Sequence, residues 1–157
     1  MQIFLTILAG AGTFVLGQIM LKLFIDPVQS FKATIAEVSN ALILYANIYA
    51  NPKTLEDKSQ KKMSEEMRML SSKLQSNMHL IPIYGFTSWV FGLPAIGEVV
   101  SASKNLIFIH NGHDGALTNQ GILNCYAAQK AKLSLGIYVH KDEMLDPKHE
   151  IEFVKAK

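Results

Sequence analysis

IFLTILAGAGTFVLGQIML, residues 3–21, contains no charged side chain, and Lys22 is the only charge before Asp26. At about 1.5 Å per residue that run spans roughly 28 Å, close to the ~30 Å hydrocarbon core of a bilayer. A cleaved signal peptide would place basic residues ahead of the apolar run, but only Met1 and Gln2 precede this one. A buried core helix is seldom this long and this free of charge, so the segment reads as a membrane span. Basic residues follow it (Lys22, Lys32, Lys53, Lys58, Lys61, Lys62 and Arg68) and none precedes it, which puts the N-terminus outside and the rest of the chain in the cytoplasm. Ala9, Thr13 and Gly17 recur every four residues and give the span a smooth face for another helix; Gln18 adds an amide that seeks a partner in lipid.

The whole chain has 157 residues, room for one modest domain beside the span. Apolar residues make up 49% and charged residues 18%, and one cysteine, Cys125, suits a reducing compartment. A net charge of +2 gives no electrostatic footprint for long nucleic acid.

Past Pro27, which should kink or restart the helix, the apolar positions are Val28, Phe31, Ile35, Val38, Leu42, Tyr45 and Tyr49. Alternating steps of three and four make a 3.5-residue repeat. Such a helix either pairs with copies of itself or packs curved against its own domain. Self-association is the favoured reading, as a symmetric homo-oligomer, dimer to tetramer. Asn47, Asn51 and Pro52 end the element.

In the charge-dense segment 53–80, Thr54 and Asp57 resemble a capping box, and Met63, Met67, Leu70, Leu74 and Met78 mark one helical face. The aromatic stretch IPIYGFTSWVFGLP, residues 81–94, is too short to cross a bilayer; core packing is preferred for Trp89 and its neighbours, with interfacial docking the second reading. Two amphipathic helices follow, over 95–111 and about 118–135, the first with Ile96, Val99, Val100, Ile107 and His110 near one face and Ser103 small enough to sit on that face without breaking the packing, the second with Ile122, Cys125, Tyr126 and Leu133 inward and Thr118 or Asn119 as cap. Ile137–Val139 and Ile151–Val154 read as two short strands. The expected fold is therefore mainly α: a transmembrane segment 1–26, a heptad-patterned stalk helix 27–52, and a small helical cytosolic domain 53–157 closed by a C-terminal β-hairpin.

No nucleophile elbow, P-loop, dinucleotide glycine pattern or HExxH motif occurs, so no enzyme activity and no cofactor are expected. His110, His113 and Asp114, even with Cys125, do not complete a convincing metal set. The turn His110-Asn111-Gly112-His113-Asp114-Gly115 offers exposed backbone donors ahead of a helix N-terminus, the parts of an anion cradle. Lys104, His110, Asn111 and Asn119 are the expected ligand-binding residues, with Lys130 and Lys132 as outer electrostatic help; an ordinary helix–turn–helix connector is the competing reading.

Tyr45-Ala46-Asn47-Ile48-Tyr49-Ala50-Asn51-Pro52, Arg68-Met69-Leu70 leading to Leu74, Ile81-Pro82 and Leu106-Ile107-Phe108-Ile109-His110-Asn111 together resemble a group of small bacterial membrane proteins over residues 15–135. His110 stands where that group's late motif carries a serine. The layout is also similar to the membrane-anchored effectors of type III CRISPR systems, in which a short membrane region joins a cytosolic domain that senses a cyclic oligoadenylate. That resemblance implies a non-enzymatic effector in the bacterial inner membrane, acting on the lipid bilayer in antiviral defence. The alternative is a structural or adaptor protein that holds a protein partner at the membrane.

Overall fold

The computed structural model describes residues 1–155 of the chain; the last two residues of the domain expected over 53–157 lie outside them. The fold is mainly α, and no strand occurs among the described residues. Helix α1 (Gln2–Met20) runs through a π-helical turn (Leu21–Ile25) into α2 (Asp26–Leu44), one continuous rod of 43 residues. None of the α1 side chains is buried within the chain, and its hydroxyls close on their own helix: Thr6 donates to the Gln2 carbonyl and Thr13 to that of Ala9. The rod is thus long and apolar enough to cross a membrane by length and composition. Pro27 does not break it. The wider π-helical turn just ahead absorbs the missing N–H and the clash of the proline ring with the preceding turn.

The second half of the rod behaves differently. Phe31, Val38 and Leu42 are fully buried, with Val28, Tyr45 and Tyr49 nearly so, in one core shared with Met63, Met67, Leu70 and Leu74 of α4 (Lys58–His79) and Val99, Ala102, Leu106 and Ile109 of α6 (Ile96–Asn111). The heptad face expected to pair with other copies is therefore covered by the chain's own domain, and residues 27–52 are part of that domain rather than a free stalk. A short α3 (Ala46–Ala50) ends the segment after a break at Tyr45. Asp57 itself, and not Thr54, caps α4, accepting the N–H groups of Ser59 and Gln60 and the Ser59 hydroxyl. Those bonds, the Ser59 hydroxyl foremost, hold its carboxyl well below the usual carboxylate range.

Polar pairs fix the register. Lys73 meets Glu37 (2.6 Å) and Asn77 donates to Thr34 (2.7 Å), so α4 runs antiparallel to α2. Ser71 donates to the Ser103 carbonyl (3.0 Å) and Ser64 to that of His110 (2.7 Å), so α6 is antiparallel to α4. Helix α7 (Gln120–Ser134) is antiparallel to α6, with Ser134 near Ser101 and Asn124 bonded to Gly112. The end of the domain next to α1 therefore holds the C-terminus of α4, the start of α6 and, between them, α5 (Tyr84–Phe91). The polar turn 110–115 lies at the far end, level with α3, about 30 Å along the rod from Ile25.

Several expectations change on packing. The buried residues of α7 are Gln120, Leu123, Asn124, Tyr126, Ala127, Ala128, Gln129 and Ala131; Tyr126 is inward as expected, whereas Ile122 and Cys125 are only partly buried and Leu133 is half exposed. Small residues on α6 and α7 let the two backbones approach, and the larger side chains flank that seam. On α6, Val99 and Ser103 face inward as expected, Ala102 joins them, and Ile96 faces outward. Gly121 abuts α3: a Cβ there would sit 2.1 Å from the Ala50 carbonyl oxygen. Gly121→Ala is expected to cost about 1–3 kcal/mol by forcing α7 off α3, read as a lowered melting temperature.

The C-terminal β-hairpin is not formed. Residues 151–154 lie in α8 (Pro147–Lys155), which Asp146 starts by accepting the Lys148 N–H (2.9 Å) with Pro147 in the first turn. Tyr126 donates to the Asp146 carbonyl and Gln129 exchanges two bonds with Leu145, so α7 supplies the partners a second strand would have given. Ile137–Val139 takes no regular secondary structure, and its Ile137 N–H closes on the Lys132 carbonyl (2.9 Å).

Candidate functional site

At the far end of the domain a buried polar cluster ties four elements together. Asn124, fully buried, donates to the carbonyls of Tyr49 and Gly112 (3.0 Å each) and accepts from Gln120 (2.8 Å). Gln60, also fully buried, accepts the Lys53 N–H. His110 Nδ1 lies 2.8 Å from the Ser64 hydroxyl and 2.9 Å from the Ser64 carbonyl. Among the described residues no buried side-chain nitrogen or oxygen lacks a partner. The cluster is closed on itself, so its chemistry is cohesion. Sequence reading misses it because Gln60, Gln120 and Asn124 are polar. The signal is that Gln120, Asn124, Ala127 and Ala131 continue one helical face.

This arrangement disperses the expected ligand-binding residues. His110 is spent on Ser64, and Asn119 donates to the Phe153 carbonyl (3.2 Å) without capping α7. Lys130 is paired with Glu150 at 2.6 Å. Lys132 lines a separate cleft with Tyr49, Cys125, Gln129 and Glu143. Lys104 and Asn111 remain exposed on α6. The cleft beside the α7 N-terminus, about 240 Å³, is lined by Phe108, Leu117, Leu123, Phe153 and Val154, with Thr118, Asn119 and the carboxylate of Glu150. Its apolar walls and its acid do not make a phosphate cradle within one chain.

Titratable groups follow burial. The Tyr49 hydroxyl donates to the Leu42 carbonyl (3.0 Å), and desolvation, with a smaller contribution from nearby Cys125, pushes it up to about 12. Burial also raises the Cys125 thiol, which makes it a poor nucleophile. Among the described residues no three His, Cys, Asp or Glu side chains converge on a point; His113 turns to the Asp114 carbonyl.

Arg68 is exposed on α4, beside Glu65, Met69, Ser72 and Lys73. The aromatic stretch divides. Ile81, Thr87 and Leu93 are buried, whereas Trp89 is 80% exposed and Phe86 60% exposed, against the core packing expected of them. An eight-residue helix has too few turns to bury both faces, and Tyr84, Thr87 and Phe91 already occupy the inner one. Comparison of the chain with protein-family models, curated proteins and solved structures finds no match.

Proposed function

We propose that this chain is a membrane-anchored, non-enzymatic effector, held in a bacterial inner membrane by α1 with the helical domain in the cytoplasm. The observation that carries the reading is the single rod: residues 3–21 expose a charge-free, mostly apolar surface, and the same helix continues into the centre of the domain core. A change in the domain is thereby coupled to the span without a flexible linker. In the class the chain resembles, the signal is a cyclic oligoadenylate, and the output is action on the bilayer in antiviral defence of the CRISPR type. Since His110, Asn119 and Lys130 are engaged within one chain, the ligand sits in this reading between copies of a homo-oligomer, where the exposed Lys104 and Asn111 meet its phosphates and bases.

Calorimetry of the full chain in detergent against cyclic tri-, tetra- and hexa-adenylate is the test. Binding of one ring size is expected, and Asn111→Ala should weaken it by about 1–3 kcal/mol with the melting temperature unchanged. Silence with all three rings removes the sensor reading. The apolar cleft around Phe108, Leu117 and Phe153 favours a second reading, an adaptor that holds a protein partner at the membrane. Stoichiometric co-purification of one protein, independent of nucleotide, would select it.

A further inference from the structure

Residues 80–97, LIPIYGFTSWVFGLPAIG, form an uncharged run in the middle of the domain. The structure uses only half of it for the core. Tyr84 packs edge-on against Phe31 of α2 with ring centroids 6.1 Å apart and donates its hydroxyl to the Pro94 carbonyl (2.7 Å). Thr87, buried, donates to the Pro82 carbonyl (2.8 Å), and Gly92 closes the helix at φ +63° with the Leu93 N–H on Ser88 (2.9 Å). These bonds fix α5 at both ends and fix which way it faces. Outward stand Ile83, Phe86, Trp89 and Val90, between 50% and 80% exposed, continued by Leu80 and Ile96. Ile83 takes φ +47°, an unfavourable backbone for a β-branched residue, at the corner that turns the chain from α4 into α5.

The place of this patch decides what covers it. Phe31, which Tyr84 touches, lies six residues beyond Ile25, about 9 Å along the helix axis from the end of the apolar run. That is close to the depth of the headgroup layer next to a bilayer core. We propose that α5 docks on the lipid interface beside the span, with Phe86, Trp89 and Val90 at the level of the headgroups and upper acyl chains. The proposal rests on the anchorage reading above. Tryptophan and phenylalanine on a short uncharged helix suit that layer, and exposed Lys32, next to Phe31 on α2, suits its anionic lipids. Anchored by α1 and by α5, the domain is held against the surface at a set tilt.

Trp89 is the single tryptophan of the chain, so its fluorescence reads the site directly. The full chain is reconstituted in phosphatidylcholine–phosphatidylglycerol vesicles and quenched with lipids brominated near the headgroup or with aqueous acrylamide. Docking predicts blue-shifted emission, quenching by the brominated lipid and protection from acrylamide. Phe86→Asp with Val90→Asp should reverse all three while the chain still floats with the vesicles and keeps its circular dichroism; if that variant loses structure, the wild-type pair of quenchers decides alone. Trp89 open to acrylamide in a chain that floats overturns docking and leaves anchorage standing. Trp89 shielded from both quenchers means that a second copy covers the patch, which also overturns it. A chain that fails to float removes the anchorage and the docking together.

Discussion

Replacing Val38 and Leu42 together with lysine is expected to unfold the helical domain. Both side chains are fully buried between α2 and the core of α4 and α6. Each substitution forfeits about 1.5–3 kcal/mol of apolar burial. Each also buries an ammonium with no carboxylate facing it, at a further penalty of about several kcal/mol. Two such sites exceed or consume the roughly 5–15 kcal/mol that holds a domain of this size. Loss of the cooperative melt by circular dichroism, with rapid proteolysis after residue 26, is the expected result. A domain that keeps its melt while the detergent-solubilised particle falls in mass would instead restore the heptad face to an interface between copies.

Asn124→Ala is expected to be the next most damaging single change, at about 3 kcal/mol or more. The amide satisfies the carbonyl of Tyr49 near the end of α3, where helical carbonyls have no partner of their own, and the carbonyl of Gly112 just past α6. Removing it orphans the Tyr49 carbonyl and one donor of Gln120, and leaves the Gly112 carbonyl only the longer bond from Gln60 (3.4 Å), in a place water does not reach. Asn124→Asp keeps the Gln120 bond and replaces both donors with a carboxylate aimed at two carbonyl oxygens, so it should destabilise at least as much. Chemical denaturation of the two variants beside wild type checks both, and a loss under about 1 kcal/mol for Asn124→Ala would show that the cluster is not a joint. Since Asn111 lies close by in sequence yet exposed, Asn111→Ala should leave the same denaturation curve unmoved.

The contrast between those two asparagines shows where sequence reading stops. Asn124 continues the helical face of Gln120, Ala127 and Ala131, whereas Asn111 sits in a glycine-punctuated turn, yet that face does not state that the amide joins α3 to the end of α6. The same limit applies to the heptad run. A 3.5-residue repeat states that one face of α2 is buried, and Val28, Phe31, Val38 and Leu42 are. It does not state against what, because α4 with its methionine–leucine face offers the same apolar surface as a second copy of the helix would. At the C-terminus, Ile151–Val154 satisfies a short strand pattern and a helix pattern equally. Asp146 and Pro147 tip it to helix, and α7 provides the polar contacts that hold it there.

The apolar rod from residue 3, the helical class, the core faces of α4 and α2, and the want of any catalytic motif were determined by sequence alone, because charge, periodicity and hydropathy act locally and leave their mark residue by residue. Three things were decided only by tertiary structure: that the heptad face turns inward, that His110, Asn119 and Lys130 are engaged in separate bonds while Lys104 and Asn111 stay exposed, and that Trp89 and Phe86 stand outward at the end of the domain nearest the span. Each depends on which surfaces meet across tens of residues of chain, and small buried side chains such as Ala102, Ala127 and Ala131 let α6 and α7 approach closely. Hydropathy is nearly silent about such residues, so their effect becomes visible only when the helices are packed.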